Sequence, residues 1–133
     1  LDGKYGPLRI LIAEDHPVNQ KLIHEMLRKL GYRSDIANNG QEAVNMALTR
    51  PYELIFMDIQ MPELDGIEAT CEIRERLPEH EQPIIVATTA FARSSDRDMC
   101  LEAGMQDFIS KPIRLQEVER VLRECALHLH PLD

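Results

Sequence analysis

Glu14 and Asp15 stand together at the end of one apolar run, Asp58 ends a second, and Thr88-Thr89 end a third. Lys111 follows Phe108, Ile109 and Ser110. If these ends meet, three carboxylates share one place with an ammonium and a hydroxyl. At about 4 Å and an effective dielectric of 20, each like-charged pair costs roughly 4 kcal/mol, so the arrangement calls for a cation. Oxygen ligands in small number, with no His or Cys among them, suit a hard ion such as Mg²⁺, with Mn²⁺ as a substitute. A dication, the Lys111 ammonium and a threonine hydroxyl around one carboxylate would stabilise the equatorial oxygens of a phosphoryl group. The carboxylate itself would be the nucleophile, and the product an aspartyl phosphate.

Taken singly, each of these residues has a plainer role. An acidic pair after a strand commonly caps a helix or faces solvent. Asp58 with Met61-Pro62 could be a turn-rich loop, and a lone Lys-Pro is a turn. Their joint position at successive strand ends is what favours a site, so the elements that would carry them matter.

Short runs rich in Ile, Leu and Val alternate five times with stretches of helical period, the pattern of a parallel sheet covered on both faces. Strands are expected at Leu8–Ala13, Arg33–Ala37, Leu54–Met57, Ile84–Thr88 and Asp107–Ser110. Helices are expected at Pro17–Leu30, Gln41–Leu48, Ile67–Leu77, Asp96–Ala103 and Leu115–Leu127. Pro17 suits a first helical turn and Gly31 a stop; Ser95 is a plausible cap with Asp98 three residues on, and Gly104 ends that helix. Right-handed crossovers leave few topologies for a (βα)5 unit, and the commonest is the flavodoxin-like order 2-1-3-4-5, an α/β three-layer sandwich. Such sheets bind ligands beyond the carboxyl ends of the strands, where the order switches between the first and third.

The 133 residues carry 15 Lys plus Arg against 23 Asp plus Glu, a formal net charge of -8, which opposes the counterion release that drives nucleic-acid binding. At 44% hydrophobic and 29% charged, the chain can bury a core as one domain. Its longest apolar runs hold four residues, against roughly 20 needed to cross a bilayer, so direct membrane insertion is not expected. Cys71, Cys100 and Cys125 lie at wide spacing without a CxxC, which points to a reduced, cytoplasmic setting. The five histidines, His16, His24, His80, His128 and His130, show no ligand spacing and are expected at the surface. The six Met residues read as core filler. Pro62–Glu81, with seven carboxylates against Arg74 and Arg76, reads as a solvated helix face. The first residue is Leu1 and not Met, as in a piece of a larger protein, with residues 1–7 and 128–133 as flanks of a domain over 8–127.

Four ordered segments carry a family likeness: Leu11-Ile12-Ala13-Glu14-Asp15-His16-Pro17-Val18-Asn19-Gln20, Met57-Asp58-Ile59-Gln60-Met61-Pro62-Glu63-Leu64-Asp65-Gly66, Thr89-Ala90, and Phe108-Ile109-Ser110-Lys111-Pro112. Together they resemble the receiver domain of two-component response regulators, from about Leu8 to Leu127. The Glu-Asp-x-Pro-Val-Asn-Gln wording and the lead-in Asp2–Pro7 are most similar to receivers at the C-terminal side of hybrid sensor histidine kinases.

The resemblance implies that Asp58 is the phosphoacceptor and that Asp15, Asp58 and the backbone carbonyl of Gln60 ligate Mg²⁺ directly, with Glu14 acting mostly through water. It implies that Lys111 pairs with the phosphate and that the Lys111–Pro112 bond is cis. Thr89 matches the switch hydroxyl, since it precedes Ala90 and its interval to Lys111 fits; Thr88 is adjacent, and side chains alternate along a strand so that one of the two faces the site. Phe108 matches the aromatic that turns inward with that hydroxyl, although it lacks a tyrosine hydroxyl to offer a partner. The donor would be a phosphohistidine on a histidine kinase, on its own kinase module or on a histidine-phosphotransfer domain, docking near Pro17, Val18, Lys21 and Pro112. The resemblance also implies a cytoplasmic location, as in the cytoplasmic part of a membrane-bound sensor kinase. Two beyond Thr89 stands Phe91, bulky and apolar, where a water-positioning group would speed hydrolysis, so a slowly hydrolysing phosphate is expected.

Two rivals belong to other classes. A hydrolase of the haloacid-dehalogenase type also uses an aspartate nucleophile and Mg²⁺, but it carries a second Asp two residues on, where this chain has Gln60, and no cap domain is expected within these 133 residues. A flavin-binding or degenerate binding module is the other; the complete set Glu14, Asp15, Asp58 and Lys111 argues against degeneracy.

Overall fold

Five parallel strands form one sheet in the order 2-1-3-4-5, counted along the chain, as the alternation of runs and helices predicts. The computed structural model describes residues 3–90 and 94–129. In chain order they form β1 (Ile10–Ala13), α1 (Pro17–Lys29), β2 (Ser34–Ala37), α2 (Gly40–Thr49), β3 (Leu54–Asp58) and α3 (Gly66–Arg76). A 3-10 turn at Glu79–Glu81 leads into β4 (Ile84–Thr89), α4 (Ser94–Ala103), β5 (Asp107–Ser110) and α5 (Leu115–Leu129). No helix among them is long and apolar enough to cross a membrane.

Side-chain alternation along the strands divides the core in two. Ile10, Ile12, Leu54, Phe56, Val86 and Ile109 pack on one face with Ile23 and Leu27 of α1 and Val118, Val121, Leu122 and Cys125 of α5. Leu11, Ala13, Ile55, Met57, Ile85 and Ala87 pack on the other with Ala43, Val44 and Ala47 of α2, Ala69 and Ile73 of α3, and Cys100 of α4. Strands buried on both faces need no polar alternation, which is why they read as unbroken apolar runs.

The ends of the elements bring the loops together. Gly31, at φ 90°, closes α1 just after Leu30. Gly66 opens α3 so close to β3 that a Cβ there would collide with the Asp58 carbonyl. Asp65 and Glu68 form a reciprocal capping box, with Glu68 N–H donating to Asp65 Oδ1 at 2.8 Å and Asp65 N–H to Glu68 Oε1 at 3.3 Å.

Several local expectations are corrected. Ser95 is not the cap of α4, because that helix already runs from Ser94. The closing helix continues two residues past Leu127, since nothing in Cys125–Leu129 breaks the helical period. His24 is half-buried, its Nδ1 2.9 Å from Ser34 Oγ where α1 crosses β2, and Met99 is exposed although Met57, Met61 and Met105 are core. Arg74 does not join a solvated face: its guanidinium turns inward to the carbonyls of Gly104 and Pro83 and to Gln82 and Gln106, at 2.7–2.9 Å. Burial lowers its pKa from the ordinary arginine value. Phe91 and His130 lie outside the described residues.

Candidate functional site

The carboxyl ends of β1, β3 and β5 converge. Asp58 is the last residue of β3, paired laterally with Thr88, and is 3% exposed. Glu14 follows β1, continues its ladder through Glu14 N–H to Ala37 O at 3.0 Å, and is 1% exposed. Asp15, one residue on, faces solvent. One carboxylate oxygen from each of Glu14, Asp15 and Asp58 lies within 4.8 Å of the others. The strand-end expectation for these three is therefore met in space.

Lys111 Nζ lies 2.9 Å from Asp58 Oδ2 and 3.0 Å from Glu14 Oε1. Burial alone would lower the ammonium's pKa, but hydrogen bonds to Asp58 and Glu14 outweigh it and raise the value. Burial pushes the Glu14 carboxyl up, with the Asp58 charge adding to the rise, while the His16 N–H at 2.9 Å on Glu14 Oε2 and the Lys111 ammonium pull it down. The net direction is upward, as expected of two near-dry carboxylates sharing one cation. One ammonium among three carboxylates leaves about two negative charges uncompensated, and every donor is an oxygen. That donor set fits a hard dication.

The loop after β3 is arranged around Asp58. Gln60 N–H donates to Asp58 Oδ1 at 3.0 Å, and the Gln60 carbonyl accepts no hydrogen bond among the described residues. The Lys111–Pro112 bond is cis. Lys111 N–H donates to Thr89 O at 2.7 Å, tying the two strand ends together.

Thr89 and Thr88 are both buried. Thr89 shares the strand parity of Ile85 and Ala87, whose face also receives Phe108; Thr88 shares that of Val86 on the opposite face. Phe108 is half-buried, with the Arg97 guanidinium 5.4 Å from its ring centre. Pro17, Val18, Lys21 and Pro112 are exposed around the rim, Val18 at 67%.

Residue type alone singles out neither Gln20 nor Arg97. Gln20 Nε2 donates to the Glu14 carbonyl at 2.6 Å and to Asn38 Oδ1 at 2.9 Å, a link between α1, the end of β1 and the loop after β2. A cavity of about 870 Å³ opens at the far, amino-terminal end of the sheet beside Arg9, Tyr32, Tyr52 and Leu129. It includes none of the convergent residues.

Residues 10–123 match the family model for the response regulator receiver domain. The chain is 42% identical over 120 residues to hybrid signal transduction histidine kinase B of Dictyostelium discoideum, covering 83% of this chain and 6% of that protein. The chain thus spans a small part of that curated relative. The crystal structure of a sensor histidine kinase receiver domain from Pseudomonas aeruginosa PAO1, with magnesium in its active-site cleft, superposes with a TM-score of 0.82. That pair is 43% identical over 90% of this chain and 97% of the other. The receiver domain of Saccharomyces cerevisiae Ssk1, solved with the histidine phosphotransfer protein Ypd1, gives a TM-score of 0.85 at 34% identity, covering 100% of this chain and 96% of that one. With the sheet order, the acidic cleft and these matches in agreement, the chain belongs to the response regulator receiver domain family.

Proposed function

We propose that this domain accepts a phosphoryl group from a phosphohistidine onto Asp58 and changes a surface that a partner reads. The observation that carries this reading is the meeting of Glu14, Asp15 and Asp58 within 4.8 Å, with the Lys111 ammonium on Glu14 and Asp58. An Asp58 oxygen attacks phosphorus, the new O–P bond forms as the P–N bond breaks, and the departing imidazole keeps the bonding pair and takes a proton from solvent. Lys111 neutralises the phosphoryl oxygens as charge gathers on them. The Gln60 N–H orients the carboxylate.

Asp15, Asp58 and the Gln60 carbonyl would hold Mg²⁺, with Glu14 acting through water, and the ion supplies charge neutralisation at the attacking and phosphoryl oxygens. Thr89 then turns toward the phosphate, and Phe108 follows on the same face of β4 and β5. A donor docks near Pro17, Val18, Lys21 and Pro112. The magnesium site and the phosphotransfer partner named for the two solved relatives support the cation and the donor class. The likeness to hybrid kinases supports a place in a larger, cytoplasmic signalling protein. The experiment is phosphorylation by a small phosphodonor in Mg²⁺: the unsubstituted chain gains one phosphoryl group, and Asp58→Asn gains none. Full labelling of Asp58→Asn would overturn the assignment.

A further inference from the structure

We propose that Gln20 is a positioning residue for the cation site, acting through the main chain that carries Asp15. The proposal rests on the cation reading above and adds a residue to it.

Among the described residues, no hydrogen bond or ion pair holds the Asp15 side chain, so its position depends on its backbone. That backbone is fixed on both sides. The His16 N–H is held by Glu14 Oε2 at 2.9 Å, and the Glu14 carbonyl, which belongs to the peptide joining Glu14 to Asp15, is held by Gln20 Nε2 at 2.6 Å. The carbonyl needs this donor because the ladder to β2 ends on the Glu14 N–H, and among the described residues no backbone N–H reaches the Glu14 carbonyl. Without Gln20 the peptide could rotate, carrying the Asp15 carboxylate away from Glu14 and Asp58.

The amide's orientation follows from its neighbours. Asn38 Nδ2 donates to Glu42 Oε1 at 3.2 Å, which leaves Asn38 Oδ1 facing Gln20 at 2.9 Å. Both partners of Gln20 Nε2 are therefore acceptors, and its two N–H groups are both used. Its backbone is equally constrained, since Gln20 N–H donates to His16 O at 3.0 Å in the first turn of α1. A chain of bonds from Glu42 through Asn38 and Gln20 thus ends on the peptide of a cation ligand. Partners of this kind, one bond removed from a metal's ligands, typically change metal affinity by 10–100-fold when removed.

The test is Mg²⁺ titration of the 133-residue chain, followed by amide chemical shifts, beside thermal melts and phosphorylation by phosphoramidate. Gln20→Leu keeps the bulk without the donor and should weaken Mg²⁺ binding about tenfold. Gln20→Glu keeps the shape but turns an acceptor toward two acceptors, and should lose at least as much. The half-saturating Mg²⁺ for phosphorylation should rise in step, while the rate at saturating Mg²⁺ stays within about twofold. A purely structural role would lower Tm without moving Mg²⁺ affinity. Unchanged affinity in Gln20→Leu, or a lost rate that saturating Mg²⁺ does not restore, would overturn the proposal. If Gln20→Leu fails to fold, Asn38→Ala replaces it, with a smaller weakening expected and none counting against. Absence of Mg²⁺ binding by the unsubstituted chain would instead overturn the cation reading beneath the proposal.

Discussion

Lys111 Nζ bridges two carboxylates at the ends of different strands, reaching Asp58 Oδ2 at 2.9 Å and Glu14 Oε1 at 3.0 Å. The side chains of the two acids are 4% and 1% exposed and that of the lysine 19%, so the ammonium is the near-dry counter-charge of the cluster. It occupies the place where an incoming cation or phosphoryl group would also act, and the two roles pull in opposite directions.

Removing the ammonium separates those roles. A unit charge about 5 Å from a dication is worth on the order of 1.5 kcal/mol even at the dielectric of water, about tenfold in an equilibrium constant. Lys111→Met should therefore tighten Mg²⁺ binding by about tenfold, read by titration, while slowing phosphorylation of Asp58 by about a hundredfold or more. Tighter metal binding with slower chemistry assigns Lys111 to the phosphoryl group; a parallel loss of both would place it in the cation site.

The acidic cluster also predicts a stability response. Like charges crowded at the strand ends destabilise the cation-free fold, and a ligand that binds only the native state stabilises it by about 1.4 kcal/mol at ten times its Kd. For a domain of this size that is a Tm rise of about 5 °C. Mg²⁺ should produce it in a thermal melt, and Asp15→Ala should abolish it.

How much of the fold and the site is legible in the sequence depends on the range of the interactions. The central strands β1, β3 and β4 are legible because strands buried on both faces read as short apolar runs, and the three acids because they stand at the ends of such runs. Arg74 was misplaced because its partners, at Gln82, Pro83, Gly104 and Gln106, are spread along the chain and include two carbonyls, which no local pattern advertises. Gln20 escaped for a related reason: a glutamine on a helix is ordinary until its amide is seen against the Glu14 carbonyl. The start of α4 at Ser94 shows the same limit at a helix end: Ser95 offers a capping hydroxyl by residue type, yet it already lies inside the helix.

The contact between Arg97 and Phe108 predicts a bias in the proposed switch. A guanidinium 5.4 Å from an aromatic ring centre at a partly exposed site contributes about 0.5–1 kcal/mol, and it favours the ring position seen here, half-buried against α4. Arg97→Ala should raise the population of inward Phe108 in the unphosphorylated chain by about two- to fivefold. Aromatic ring NMR would read it. An unchanged population would mean that the guanidinium follows the ring without holding it.

Alkaline stability follows from the core face under α5. Burial, aided by the charge of Glu53, pushes the Cys125 thiol from 9.0 up to about 12. The unfolded chain ionises this thiol near its ordinary value while the native state keeps it protonated, so between pH 9 and about 12 the native state binds more protons. Stability therefore falls as pH rises through that window, by up to about 1.4 kcal/mol per pH unit from this group. Tyr52, raised by burial from 10.0 to about 12, acts in the same direction over a narrower range. Cys125→Ala leaves a cavity and should be less stable at neutral pH, so the informative quantity is the slope. Urea unfolding midpoints between pH 9 and 11 should decline less steeply in Cys125→Ala than in the unsubstituted chain, and equal slopes would mean that the thiol ionises without unfolding.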